Sequence, residues 1–345
     1  ASSRYWPSQR PLRSLISIRY AGRPAARARA VGEIIRMCER ANVVGAGFHQ
    51  AGARAAGSAT KNGNFYFGRE TDVSLSVTAR TKDGTGSGYF QRGHFDAAQF
   101  DPARIARESI AKATGSRSPR QLDAGTYTVV LEAQAVGDLF NLGFDARSAE
   151  EGRSSFSAPG GKTRVGERVF DERVSIYSDP WHPQLPASAA AQGGIPAEKF
   201  FLVRGGTLEN LVYSRFWAKQ KGRGPTPGPV NLILESAGEA QSLEEMIRTT
   251  ARGLLVSHFW YIRPVDPRTA LFTGLTRDGV WLIENGRVQH PVNNFRFNQS
   301  VIRMLAPGNL LAIGRPERVG AGNNVSLLPP LKVKEFNFTS KSEAV

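Results

Sequence analysis

The side chains able to do chemistry are few. Histidine occurs at positions 49, 94, 182, 258 and 290, and Cys38 is the single cysteine. No two histidines lie within five positions of each other, so the chain carries no local two-histidine motif of the kind that shares one zinc between neighbouring imidazoles. One cysteine forms no internal disulfide and no zinc site built on paired thiolates. Cys38 also falls on an apolar stripe with Val31, Ile34 and Ile35, which makes it a buried small hydrophobe rather than a nucleophile. Serine, histidine and aspartate are present throughout, but a triad is defined in space and spacing alone assigns none. The run Asp83-Gly84-Thr85-Gly86-Ser87-Gly88 has the look of a phosphate loop. Tyr89-Phe90 follows it instead of a helix, so the N-terminal helix dipole that would hold a phosphate is missing and a hairpin is expected.

The elements that must position these residues can be read from periodicity. The stripe at i, i+3, i+4 and i+7 predicts a helix over 27–41. Asn64 to Gly68 and Asp72 to Thr78 read as strands, the second with Val73, Leu75 and Val77 alternating with polar residues. Asp101-Pro102 opens a second helix, with Asp as cap and Pro in the first turn. Gly115 to Arg120, with Pro119, is the expected domain boundary. Beyond it the pattern turns to strand: Tyr127, Val129 and Leu131; Val174 and Ile176; 201–203; 231–234; 331–334. Ser242 and Glu245 form a capping box for a helix expected to end near Gly253. Asn285-Gly286 is the turn of a hairpin over 281–288, and Lys219 to Pro229 is expected to be a mobile surface loop.

The chain has 345 residues, more than a single core usually covers, so two domains are expected: 1–123 and 124–345. Hydrophobic residues at 40% and charged residues at 22% exclude a disordered chain. No apolar run approaches the ~20 residues of a membrane-spanning helix. Residues 1–40 hold nine Arg and two Glu with no signal-peptide core and no initiating Met, so the chain is expected to be trimmed at its start or to be a fragment of a longer protein. The formal charge of +15 is uneven: residues 1–123 carry 20 Lys+Arg against 9 Asp+Glu, and the remainder 25 against 21. A basic front end attracts nucleic acid or an acidic partner, but no tight basic block or nucleic-acid motif accompanies it. Nucleic acid is therefore not expected as the partner. The fold class expected is α+β, with a partial α/β first domain followed by a mostly antiparallel β domain with a few helices.

Taken in order, the second-half segments resemble the TldD/PmbA family. They are Ser242-Leu243-Glu244-Glu245-Met246-Ile247, Thr250-Ala251-Arg252-Gly253-Leu254-Leu255-Val256, Gly279-Val280-Trp281-Leu282-Ile283-Glu284-Asn285-Gly286 and Pro291-Val292-Asn293-Asn294-Phe295. Weaker similarity runs from about Gly45 to the end, so the chain is expected to start inside the family's N-terminal domain. The resemblance implies a scaffold related to zinc peptidases, whose active members carry His-Glu-x-x-x-His shortly after a Val-Val-Leu strand and a cysteine near the C-terminus. Counting on from Val129-Val130-Leu131 places Asn141, Leu142 and Ala146 at the three motif positions. No histidine lies between His94 and His182, so every register fails, and no cysteine follows Cys38. Glu132 is the nearest acid, without a metal-bound water to act on; rescue by His182 or His258 would need distant residues to converge. A further departure is Ala191 to Pro196, where the family commonly carries an acidic Asp-x-Glu-Gly stretch.

What is missing is similar to the PmbA (TldE) branch of the family. The resemblance thus implies no catalytic and no metal-binding residue here, with zinc in a TldD-like partner subunit. It implies a cytoplasmic heterodimer, or self-association, acting on small or unfolded peptides. Two other readings stay open: a peptidase active by itself through an unrecognised site, and a basic nucleic-acid-binding protein.

Overall fold

The computed structural model describes residues 24–59, 61, 65–187, 190–191, 194–321 and 325–343. Residues 1–23 of the Arg-rich start therefore lie outside the described residues, as does Asn64. No described helix is long and apolar enough to cross a membrane.

The first unit opens with helix α1 (Pro24–Arg40) and an antiparallel sheet in the order β1 (Val43–Ala59), β2 (Phe65–Thr81), β3 (Ser87–His94), followed by helix α2 (Pro102–Gly115). Asp101 caps α2 as expected, its carboxylate accepting the Arg104 N–H at 3.0 Å. Leu75, Val77 and Ala79 on β2 pack with Phe90, Ile105, Ala106, Ala113, Ile34 and Cys38 to form a core of the unit's own. The glycine-rich run is the β2–β3 turn, as expected. A Cβ on Gly88 would stand 2.2 Å from the Ser109 carbonyl oxygen of α2. Its smallness thus serves close helix–sheet packing, not a phosphate.

Three expectations need correction here. In α1 only Ile34 and Cys38 are buried, while Val31 and Ile35 are exposed at 38% and 52%. The strand beneath is too sparse in side chains to cover a second line of the helix. β1 itself went unread, because Gly and Ala carry no alternation signal. Within this unit the pairing is antiparallel throughout, where an α/β layout would need a parallel pair. The strands follow one another in sequence, β2 and β3 through a turn, with no crossover helix among the described residues between them.

The overall class is α+β. After α2 come β4 (Gly125–Leu131), α3 (Ala133–Leu139), α4 (Ala146–Glu150), β5 (Val174–Ser178), β6 (Phe200–Arg204) and β7 (Ile233–Ser236). Next are α5 (Leu243–Arg248), β8 (Arg252–Asp266), β9 (Leu271–Glu284), β10 (Arg287–Pro291), β11 (Asn294–Ser300), β12 (Leu310–Ile313) and β13 (Leu331–Ser342). Strands β5, β6 and β7 belong to one sheet; β8–β4–β13–β11–β9–β10 form another, with β12 on β13. Because β8 also pairs with β9, the ladder of this second sheet closes on itself, with β10 and β12 attached at its margins. Phe259, Phe295, Phe297, Phe336 and Phe338 are each at most 2% exposed and pack against one another, in stacked, tilted and edge-on pairs, at centroid distances of 4.8–5.6 Å.

The Ser242 cap forms, accepting the Glu245 N–H at 3.1 Å, but Glu245 turns to Arg248 and the helix stops at Arg248, short of Gly253. Arg252 already belongs to β8, and the ladder to β9 claims its backbone. Asn285 and Gly286 both have positive φ, 52° and 74°, as a two-residue hairpin turn demands. Lys219 and Gln220 end a short helix, and the loop beyond is held by Thr226, whose N–H binds the Tyr213 carbonyl at 3.1 Å. The 115–120 segment is pinned too: Trp281 donates its indole N–H to the Gly115 carbonyl, and Arg120 bridges to Val292.

Candidate functional site

The three motif positions are not brought together as ligands. Asn141 lies just after α3, exposed, with its N–H bound to the Leu139 carbonyl at 2.8 Å. Leu142 belongs to the main core at 9% exposure. Ala146 begins α4 and is wholly buried, because Asp145 caps the helix by accepting the Ser148 N–H and so aims residue 146 inward. One position faces water, one faces the core, and one lies under a helix start. Glu132 is engaged as well, accepting Lys112 Nζ at 2.6 Å.

The histidines are dispersed. His49 stacks on Phe100 and donates to the Ser74 carbonyl; His94 accepts the Asp96 N–H; His182 lies 3.8 Å from Glu235; His290 donates to Pro291. Only His258 sits in a polar cluster, and that cluster joins the first unit to the second. Its Nδ1 is 2.9 Å from Asp278 Oδ2, its Nε2 is 3.7 Å from Asp138 Oδ2, and its ring stacks on Tyr89 of β3 at 4.4 Å. Ser87, also on β3, donates to the other oxygen of Asp278. Asp278 reaches the cluster by an irregularity in β9: it has φ +55°, and the pairing with β8 slips between Val256 and His258. A bulge of this kind re-aims a side chain, and a buried aspartate held left-handed signals a constrained site.

The two carboxylates respond oppositely. For Asp278 burial pushes the pKa upward, but the hydrogen bond and charge of His258, with the bond from Ser87, overcome it and hold the group below the usual carboxylate value. For Asp138 burial dominates and raises the pKa, against the more distant His258 and the N–H groups of Phe259 and Gln134. The difference follows from distance, 2.9 Å against 3.7 Å. Burial and then the two carboxylates also push the Tyr89 phenol up. Gln134 gives its Nε2 to Asp138 and leaves Oε1 buried without a partner. The sequence flagged His258 alone here; an Asp-Gly pair inside an apolar strand was the available signal for Asp278.

Chemically the cluster is a clasp. Ser87 bonds to the carboxylate, not to an imidazole nitrogen, so the order nucleophile–base–acid is absent. As a zinc site it does not fit: Asp138 has both oxygens taken by N–H donors, and Asp278 has both taken by Ser87 and His258. Among the described residues, no group of three or more His, Cys, Asp or Glu side chains is placed to hold a metal ion. A groove of about 760 Å³ lies away from the clasp between α1 and the start of α2, lined by Arg29, Glu33, Arg36 and Asp101 among others.

Comparison with known proteins gives consistent results. The family profile described as the PmbA/TldA metallopeptidase C-terminal domain matches residues 124–340. A metalloprotease of Archaeoglobus fulgidus is 24% identical over 221 residues, covering 62% of this chain and 47% of that protein. A metalloprotease of Methanothermobacter thermautotrophicus is 24% identical over 282 residues, covering 73% and 58%. The chain thus spans about half the length of the curated relatives it matches. In fold it is similar to TldE of Thermococcus kodakarensis, with TM-score 0.73, 20% identity, and 90% of this chain and 73% of that one covered.

Proposed function

This chain belongs to the PmbA/TldD family of metallopeptidase-related proteins, and from that premise we propose that it is a non-catalytic, PmbA/TldE-like subunit of a two-subunit zinc peptidase. The observation that carries the reading is the fate of the motif positions: Asn141 exposed, Leu142 in the core, Ala146 buried as the first residue of α4. Zinc hydrolysis needs neutral or anionic ligands converging on one ion, with one position open for water. These three side chains supply none. The division is taken at residues 123 and 124, with part of the family's N-terminal region before it and its C-terminal domain after it.

In this reading the zinc resides in a TldD-like partner, and this chain completes the cavity wall and presents small or unfolded peptides. The compartment is the cytoplasm, where a lone buried thiol stays reduced. A stable pairing of this kind buries at least ~1,200 Å² in total. The test is to co-express the chain with a histidine-bearing relative and assay peptide hydrolysis for each subunit and for the pair. Activity is expected in the pair only, lost when the relative's motif glutamate is changed and insensitive to Glu132→Gln in this chain. About one tightly bound zinc in the purified chain, or hydrolysis by it alone, would overturn the reading.

A further inference from the structure

Alternation along β8 buries Phe259 and leaves Trp260 outside the closed sheet, opposite Leu275 of β9. The next residue, Tyr261, should then turn inward. Instead the pairing slips between Trp260 and Arg263, so that Tyr261 and Ile262 together oppose the single residue Gly274. Tyr261 takes φ +54°, a left-handed conformation in which glycine is usual and a bulky side chain is an outlier. Ile262 packs against the core, and Tyr261 stands out at 55% exposure beside Trp260 at 44%. The two rings lie 5.4 Å apart. Backbone strain here brings a second aromatic to the surface, where the core makes no use of it.

Cations frame the pair. Arg277 lies over the Trp260 ring at 4.2 Å, and Arg263 lies over the Tyr261 ring at 4.5 Å. Arg296 of β11 is the cross-strand partner of Leu275, on the same outer face as Trp260. Among the described residues none of these three guanidiniums makes an ion pair. Arg268 nearby shows the ordinary alternative, held by Asp266 at 3.4 Å. A strained aromatic pair and three uncompensated charges therefore share one exposed face.

We propose that the outer face of β8 and β9 around Trp260, Tyr261, Arg263 and Arg277 is the docking surface for an acidic face of a partner protein. It rests on the two-subunit reading above and names the face on which the zinc-bearing relative sits. Composition points to a protein: Trp, Tyr and Arg are the side chains that dominate the energy of protein interfaces. A guanidinium already laid on a ring loses little freedom when it takes a carboxylate bidentately. Charge excludes a second copy, since a twofold contact would set three guanidiniums against three. A nucleic-acid strand fits less well, because bases stack on open ring faces and here each ring already carries an arginine.

The test measures pairing of the full chain with a purified histidine-bearing relative by biolayer interferometry, beside peptide hydrolysis by the pair. Trp260→Ala should weaken pairing about 30-fold. Arg277→Glu should weaken it at least as much and slow association most at low salt. Tyr261→Gly is the sharpest variant: it relieves the left-handed strain, so the melting temperature should hold or rise while pairing weakens about tenfold. Phe216→Ala, at an exposed site elsewhere, should change nothing. Native affinity in the Trp260, Arg277 and Tyr261 variants would overturn the surface and leave the two-subunit reading intact if the pair still hydrolyses peptide. A dimer of this chain alone that Trp260→Ala disperses, or a labelled 15-nucleotide oligo-dT whose binding Trp260→Ala abolishes, would overturn it in favour of another occupant. No pairing by the native chain would defeat both. Peptide cleavage by the isolated chain, with pairing still lost in the variants, would defeat the non-catalytic reading and leave the surface standing.

Discussion

The sheet of the first unit and the closed sheet of the second solve the edge problem in opposite ways. In the second, β8 pairs on both sides and returns the ladder to its start, around five phenylalanines that are almost fully buried. In the first, β1 ends the sheet with small residues and exposed peptide groups. Closure around a dense aromatic core gives rigidity. An open, sparsely packed edge gives little stability of its own and leaves backbone available for pairing. The clasp at His258 ties one to the other, so the edge is carried on a firm base.

Several substitutions bear on that contrast, beginning with the largest effect. Phe336→Ala should destabilise the protein by about 3–5 kcal/mol, since it empties a site surrounded by Phe259, Phe297 and Phe338. Phe48→Ala should change stability by less than about 0.5 kcal/mol, being largely in water. Denaturant unfolding of both variants measures the difference, and comparable losses would mean that β1 is packed after all.

Breaking the clasp comes next. Asp278→Asn should cost about 3 kcal/mol, because it leaves His258 with a weakened partner in a buried site. Its pH dependence has a definite sign. A carboxyl held below its unfolded value contributes stability above about pH 4, and loses it as pH falls through the folded value. The melting temperature of the native chain should therefore approach that of Asp278→Asn below about pH 4. A gap that stays constant down to pH 2 would show that the lowered pKa of Asp278 is not linked to folding.

Gly88→Ala should cost about 1–3 kcal/mol, as the new methyl meets the Ser109 carbonyl of α2. Ala46→Val, on the exposed strand, should be close to neutral; thermal melts of the two give a direct ranking. The smallest effect is kinetic. Cys38 is 4% exposed, and burial raises its pKa ahead of the charge of Glu39. A thiol reagent should label it slowly in the native protein and rapidly in denaturant. Rapid labelling of native protein would show that α1 leaves β1 readily.

Legibility followed side-chain periodicity. Val73, Leu75 and Val77, the Ile-Glu-Asn-Gly hairpin and the Asp101 and Ser242 caps were readable, because each is a local pattern with one physical meaning. β1 was not, since Gly and Ala fit strand, turn and linker alike. Nor was the inward face of α1, whose stripe was twice as wide as the surface available to bury it.

The sequence by itself determined that no local zinc motif exists, that the second half is mostly strand, and that the chain resembles the TldD/PmbA family, because these depend on residue types and short spacings. Only the tertiary structure decided that Asp138, His258 and Asp278 meet, since they lie on three elements joined by a strand slip and by contacts to β3. It alone decided that Leu142 and Ala146 are buried and that β1, among the described residues, pairs with β2 alone. Burial and pairing are properties of neighbours distant in the chain, and no spacing along one strand encodes whether another will lie beside it.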